Sequence, residues 1–168
     1  MSTPALGVDR KIYRVLAHAK PRAIIIACPD PRIWEATLCF IHEELGLRYG
    51  EYLFPAQLGG VVALSQPVTM PYASQHYGDT LEFCFKHFPS LEEIIHINHD
   101  DCARYRDFHE TIGKFFLRGA PDLSERQRRD LGLASGLAPV VAKRPLETRQ
   151  FLMQYANADR TEAYFDPA

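Results

Sequence analysis

Two short runs limit the folds open to this chain. RAIIIAC, residues 22–28, is apolar at nearly every position and rich in isoleucine, and LEEIIHIN, residues 91–98, carries a second stretch of the same kind. An apolar run of strand length has no polar face to show to water, so it marks a strand covered on both sides, as in a parallel sheet. A sheet covered on both sides needs helices, and the chain between and after the runs supplies helical spacing. RIWEATLCFIHEELGL, after Pro31, sets Ile33, Ala36, Thr37, Phe40, Ile41 and Leu45 on one face, with Gly46 as its stop. EYLFPA (51–56) reads as a second strand cut short by Pro55, residues 57–73 as a loop, and Ser74 as the start of a helix that stops before Pro89. Asp9 caps a predicted helix over 10–20, and ARYRDFHETIGKFFLRG predicts one ending at Gly119. SERQRRDLG predicts a short charged helix whose basic run is a solvated face. TRQFLMQYA, NADR and TEAYF predict a closing β-hairpin. Strand and helix alternate, so the expected class is α/β: a mostly parallel central sheet flanked by helices, with a C-terminal antiparallel strand or hairpin. No internal repeat or linker breaks the 168 residues, and residues 1–168 read as a single domain.

Charge and composition narrow the function classes. The formal net charge is -2, which gives no basic footprint for nucleic acid or an anionic membrane. No apolar run approaches the roughly 20 residues of a membrane-spanning helix. MSTPALGVDRK lacks the basic-then-apolar pattern of a secretory leader, so a cytoplasmic location is the expectation. Four cysteines are present, Cys28, Cys39, Cys84 and Cys102, and an even number argues for disulfides only in a secreted chain. Metal binding, catalysis and plain burial stay open for them. Cys39 and Cys84 fall inside helical patterns and read as core.

Chemistry concentrates at the ends of the two apolar runs. The first ends in ACPDPR, with Cys28, Asp30 and Arg32 at alternate positions and Pro29 and Pro31 between them. The other ends in HDDC, with His99 and Cys102 three apart. Open α/β sheets bind ligands beyond the carboxyl ends of their strands, which is where both motifs fall. Two thiols and one imidazole suit zinc, and three protein ligands leave a fourth tetrahedral position for water. The competing reading makes Cys28 and Cys102 small buried hydrophobes, His99 a capped loop histidine, and Asp30 with Arg32 a surface salt bridge at a helix start. The third option, a nucleotide- or phosphate-binding α/β domain, is poorly served by Gly59-Gly60, since no phosphate-loop pattern is present.

CPDPR followed about seventy residues later by HDDC resembles the β-class carbonic anhydrases, which carry C-x-D-x-R after the first strand and H-x-x-C after the third. The resemblance covers most of residues 20–165. It implies that Cys28, His99 and Cys102 hold one Zn2+ per chain, and that Asp30 is the carboxylate beside the zinc-bound water, with Arg32 as its ion-pair partner. In some members that aspartate becomes a fourth ligand. The implied activity is reversible hydration of carbon dioxide to bicarbonate through a zinc-bound hydroxide. Hydrolysis of carbonyl sulfide or carbon disulfide, and a non-catalytic anion-binding role, are the alternatives. A homodimer or larger homo-oligomer, paired through the first helix and the sheet edge, is implied as well. The exposed share of VVALSQPVTMPY offers a surface for it.

Departures from the family pattern fall around the pocket. Gln57, Gly59, Gly60 and Ala103 take the positions of its wall, but AQLGG puts Ala56 where arginine is common and Gln57 where asparagine is. Ala103 replaces a glycine. Asp100 either caps the helix starting near Ala103 or adds negative charge beside the metal. His76, Tyr77, His96 and Tyr105 are the titratable neighbours for a proton relay, and His96, inside an apolar strand, reads as a core histidine.

Overall fold

The structure, a computed structural model, describes residues 15–16, 18–108, 110–111 and 122–168. Five strands, β1 (Ala23–Ala27), β2 (Tyr52–Leu53), β3 (Glu93–His99), β4 (Glu147–Tyr155) and β5 (Ala163–Pro167), form one sheet in the order β2-β1-β3-β4-β5. The first four are parallel, and β5 runs antiparallel to β4. Helices α1 (Trp34–Glu43), α2 (Val62–Ser65), α3 (Pro71–His87), α4 (Ala103–Phe108) and α5 (Leu123–Ala142) complete the described elements. The predicted class is therefore the observed one. None of these helices is long and apolar enough to cross a membrane.

The doubly apolar runs become strands buried at every residue. Successive side chains point to opposite faces of a strand. Ile24, Ile26 and Ile94 enter one core cluster with Tyr77 and Leu81 of α3 and Leu131, Ala134 and Ala138 of α5. Ile25, Ile95 and Ile97 enter the other, with Phe40 and Ile41 of α1. Each fully buried isoleucine contributes on the order of 1.5–3 kcal/mol. Phe40 also stacks on Phe165 of β5 at 4.1 Å and meets Phe151 of β4 edge-on at 4.9 Å, which fixes α1 against the hairpin.

Several boundaries differ from the sequence expectation. The second strand is two residues long, and the loop after it contains α2, whose residues are all buried. Helix α3 starts at Pro71 rather than Ser74, because proline's fixed φ suits the first helical turn and its missing N–H costs nothing there. Helix α1 ends at Glu43, ahead of Gly46, which turns the chain at φ 64°. The short helix expected at 124–132 is the start of α5, twenty residues long and capped by Asp122 through the Ser124 amide. Its basic run is not wholly solvated: Arg126 is buried and paired with the buried Asp130. Cys84 is core as expected, whereas Cys39 is exposed, since it falls on the outer side of α1 between Thr37 and Phe40, which point inward. The helix expected over 10–20, its cap Asp9, and the C-terminal part of the one expected to end at Gly119 lie outside the described residues.

His96 is a satisfied core residue. Its Nε2 meets the Tyr77 hydroxyl at 2.9 Å and its Nδ1 the Ser135 hydroxyl at 3.0 Å. Burial holds its pKa down to about 3, so the folded protein keeps the ring neutral where the unfolded chain already binds a proton. The stability this contributes is complete above the ordinary value near 6.5 and is lost as pH falls from there toward 3. Urea unfolding across that window is expected to show a slope from this one group approaching 1.4 kcal/mol per pH unit, absent in His96→Gln. An identical slope in the variant rejects the assignment.

Candidate metal centre

The register of β1 on β3 pairs Ala27 with Ile97, so both strands end at the same edge. Cys28 follows the last residue of β1, and His99 is the last residue of β3. The chain then turns through Asp101, at φ 56°, and Cys102 precedes the first residue of α4. These placements bring the Sγ of Cys28, a ring nitrogen of His99 and the Sγ of Cys102 within 4.8 Å of one another. All three residues are buried, at 7%, 1% and 2% exposure.

The imidazole is oriented as a ligand. His99 Nδ1 lies 2.7 Å from the Asp100 carbonyl, and a carbonyl only accepts, so Nδ1 carries the proton. Nε2 is left as the lone-pair atom, buried and without a hydrogen-bond partner. Such an orphan costs roughly 1–3 kcal/mol unless something fills its place. A backbone carbonyl behind one nitrogen and a free lone pair on the other is the usual setting of a metal-binding histidine. The Gln127 side chain donates to the His99 carbonyl at 3.0 Å and anchors the strand end to α5.

The sulfurs are built for negative charge. The Cys102 thiol hydrogen-bonds to Cys28 and pulls the Cys28 pKa down against burial, with help from the Gly59 amide. The same bond, with burial, pushes Cys102 up, although the amides of Tyr105 and Arg104 at the start of α4 favour its thiolate. The two sulfurs are thus pushed in opposite directions, and a divalent cation between them would favour the thiolate of both. Two soft anionic donors and one neutral imidazole fit a zinc-like ion.

Asp30 stands beside this cluster. Its Oδ2 is 4.0 Å from the orphan Nε2 of His99. Arg32 grips it bidentately, with NH2 2.6 Å from Oδ2 and Nε 3.0 Å from Oδ1, and the Arg32 amide adds a bond of 3.0 Å. The Arg32 side chain, and then its amide, hold the Asp30 carboxyl down to about 2 against burial. Pro29 and Pro31 restrict φ on both sides of Asp30.

The loop 57–61 closes over the end of β1. The Gln57 amide donates to the Ala27 carbonyl at 3.0 Å, and the Val61 amide to Asn98 Oδ1 at 3.3 Å. Gly59 and Gly60 have φ of 78° and 57°. A Cβ on Gly60 would overlap Asn98 Oδ1, and one on Gly59 would meet Arg104 Cγ at 2.7 Å. Ala56 and Ala103 are exposed. The Asp100 carboxylate accepts from the Ser124 hydroxyl at 2.9 Å and ties the turn to α5. Of the relay candidates, Tyr77, His96 and Tyr105 are buried in the core and His76 is exposed on α3. Within VVALSQPVTMPY the valines and leucine at 61–64 are buried, while Val68 and Tyr72 are exposed.

Sequence reasoning missed Asp101, Arg106 and Arg160. Asp101 accepts from Arg32 NH1 at 3.0 Å and pairs with Arg106 of α4 and with Arg160 of the β4–β5 turn. Burial pushes its pKa up, but the three guanidinium groups outweigh this and hold it low. The doubled aspartate of HDDC was the only sign of it in the sequence.

No protein-family model and no curated protein matches the chain. Among solved structures it is similar to β-carbonic anhydrase isoform I of Trichomonas vaginalis, at 11% identity and a TM-score of 0.54 over 92% of this chain and 87% of that one. It is also similar to the β-carbonic anhydrase CafA of Aspergillus fumigatus, at 15% identity and 0.50 over 89% and 76%.

Gly60→Ala combines a left-handed φ with an overlap, and is expected to cost roughly 2–4 kcal/mol in denaturant unfolding. Gly46→Ala has the same handedness but open space around it, and is expected to cost about 1 kcal/mol. Equal costs would show that the contact with Asn98 has no part.

Proposed function

We propose that this chain, which has the β-carbonic anhydrase fold, is a zinc enzyme that hydrates carbon dioxide reversibly to bicarbonate. The observation that carries the reading is the buried, unpartnered Nε2 of His99, facing two sulfurs with Asp30 at 4.0 Å. Cys28, His99 and Cys102 would hold one Zn2+ per chain. Bound there, the ion would supply Lewis acidity, weakened by two thiolates that bring its net charge close to zero. A weaker Lewis acid needs more help from its surroundings, and Asp30 is placed to give it. Its ionised carboxylate accepts a hydrogen bond from a water beside His99 and turns the water's lone pair toward carbon dioxide. Arg32 keeps that carboxylate charged and fixes its direction, because a bidentate guanidinium pair is planar and rigid. The Gly59 amide turns to Cys28.

A homodimer or larger homo-oligomer belongs to this reading, with Val68 and Tyr72 as exposed apolar surface for it. The second reading, a zinc protein that binds an anion without turnover, draws on Ala56 and Gln57, where the family's arginine and asparagine are missing. Carbonyl sulfide and carbon disulfide are the neighbouring substrates, open to the same attack at carbon.

Metal analysis with stopped-flow hydration of carbon dioxide tests the proposal. The wild type is expected to carry about one zinc per chain and to be active, and Cys102→Ser to lose both, since a missing ligand or its support costs about 10–100-fold or more in metal affinity. A zinc-loaded wild type with no hydration at pH 8.5 rejects the enzyme. Turnover confined to carbonyl sulfide or carbon disulfide moves the substrate.

A further inference from the structure

Arg32 does not grip Asp30 unaided. Nε and NH2 face Asp30, while NH1 donates to Asp101 Oδ2 at 3.0 Å and NH2 to the Asp101 carbonyl at 3.2 Å. The two carboxylates therefore take different edges of one guanidinium. They do not compete for it: Asp101 fixes the plane in which Arg32 meets Asp30. The Asp101 carboxylate is fixed in turn by Arg106 and Arg160. Arg160 is presented by the β4–β5 turn in a left-handed conformation, φ 59°, with its guanidinium over the Tyr155 ring at 5.6 Å. Asp101 is itself left-handed at φ 56°, a conformation aspartate and asparagine tolerate best after glycine.

This matters because Asp30 is close enough to be a ligand. A carboxylate whose oxygen lies 4.0 Å from the histidine donor atom would bind a cation held there unless something kept it back. The restraint is Arg32, whose side chain is 46% exposed. An exposed arginine held by one partner pays rotamer entropy for little gain, whereas one fixed on two edges stays in place. We infer that Asp101 is a positioning residue: by fixing Arg32, it keeps Asp30 off the metal and so keeps one ligand position open to water or an anion. The inference rests on the metal site of the proposed function, not on its substrate.

Without the Asp101 charge, Arg32, Arg106 and Arg160 lose their common acid and repel one another. Arg32 swings out, and Asp30 is free to take the metal. Azide titration of the cobalt(II)-loaded protein, read by visible absorption, measures this apart from turnover. Azide needs the position Asp30 would occupy, so its apparent dissociation constant rises as the open fraction falls. Asp101→Asn keeps the turn and removes the charge, and is expected to weaken azide roughly tenfold. Arg32→Lys, which cannot serve both carboxylates, is expected to do the same, and Arg160→Gln, which touches Arg32 only through Asp101, is expected to weaken azide in the same direction and decides the matter if Asp101→Asn does not fold. In an Asp30→Asn background, each change is expected to leave azide binding within about twofold, because the closing ligand is gone. Unchanged azide binding in the single variants overturns the inference, as does a loss that persists in that background. Failure of the wild type to take up cobalt overturns it together with the metal site. Inactivity toward carbon dioxide with the azide pattern intact overturns only the enzyme.

Discussion

The register of β1 against β3 is the constraint on which the site depends. Ala23 faces Glu93 and Ala27 faces Ile97, so the chain leaves both strands at one edge and delivers Cys28 and His99 together. The register is fixed by burial on both faces. A slip of one residue would turn Ile24 and Ile26 out of the cluster under α3 and α5 and into the one under α1, and Ile25 the other way. The same slip made by β3 would carry the His96 ring away from the Tyr77 and Ser135 hydroxyls. Cys28 and His99 inherit their positions from a packing choice made along five and seven residues of strand. That choice has no slack, because protein interiors are packed as densely as organic crystals.

This is why the convergence of Cys28, His99 and Cys102 was readable in the sequence. C-x-D-x-R and H-x-x-C are weak signals alone, but each follows an apolar run that declares its own strand, and parallel strands end on a common edge. The hairpin was readable for a similar reason, since its two runs flank a polar turn. Helix α5 was hidden by Gly132, Gly136 and Pro139, which local preference counts as breakers. Tertiary packing overrides them: Ala134, Ser135 and Ala138 are small enough to seat the helix closely on the sheet. Arg126 reads as solvated because its partner Asp130 is one helical turn away, and only the fold shows that both face inward. Arg160 lies 59 residues from Asp101 on a turn with no motif, and nothing local marks it.

Behind the donors runs a second polar layer that ties the loop over the site to α5. Asn98 Oδ1 takes the Val61 amide, and its Nδ2 donates to the Tyr105 hydroxyl at 3.0 Å. Tyr105 adjoins Asp130, which accepts from Arg126 at 3.2 Å and from Gln66 at 3.1 Å. Burial pushes the Asp130 carboxyl up, and Arg126 and Gln66 oppose it. Buried charge of this kind adds little net stability, since desolvation offsets most of the Coulomb gain. What it does supply is direction. Asn98 sits where a Gly60 side chain would be, so the loop can approach the sheet only if the amide group is held in one orientation, and Tyr105 holds it.

The charges around the sulfurs and the imidazole are graded by burial. The sulfurs and the imidazole are buried and fixed by backbone on strand ends and at the start of a helix. Asp30 is set on a short turn between prolines, and its direction depends on one arginine. That arginine is half-exposed and takes its own direction from Asp101, which draws on α4 and the far hairpin. Burial thus falls outward from these three side chains to Asp30 and Arg32, while the number of chain segments that must agree rises. A binding cluster placed on the buried part keeps its geometry under local motion. A carboxylate that must either stand off or bind is better placed on the more exposed part, where a small change of free energy moves the population between two arrangements.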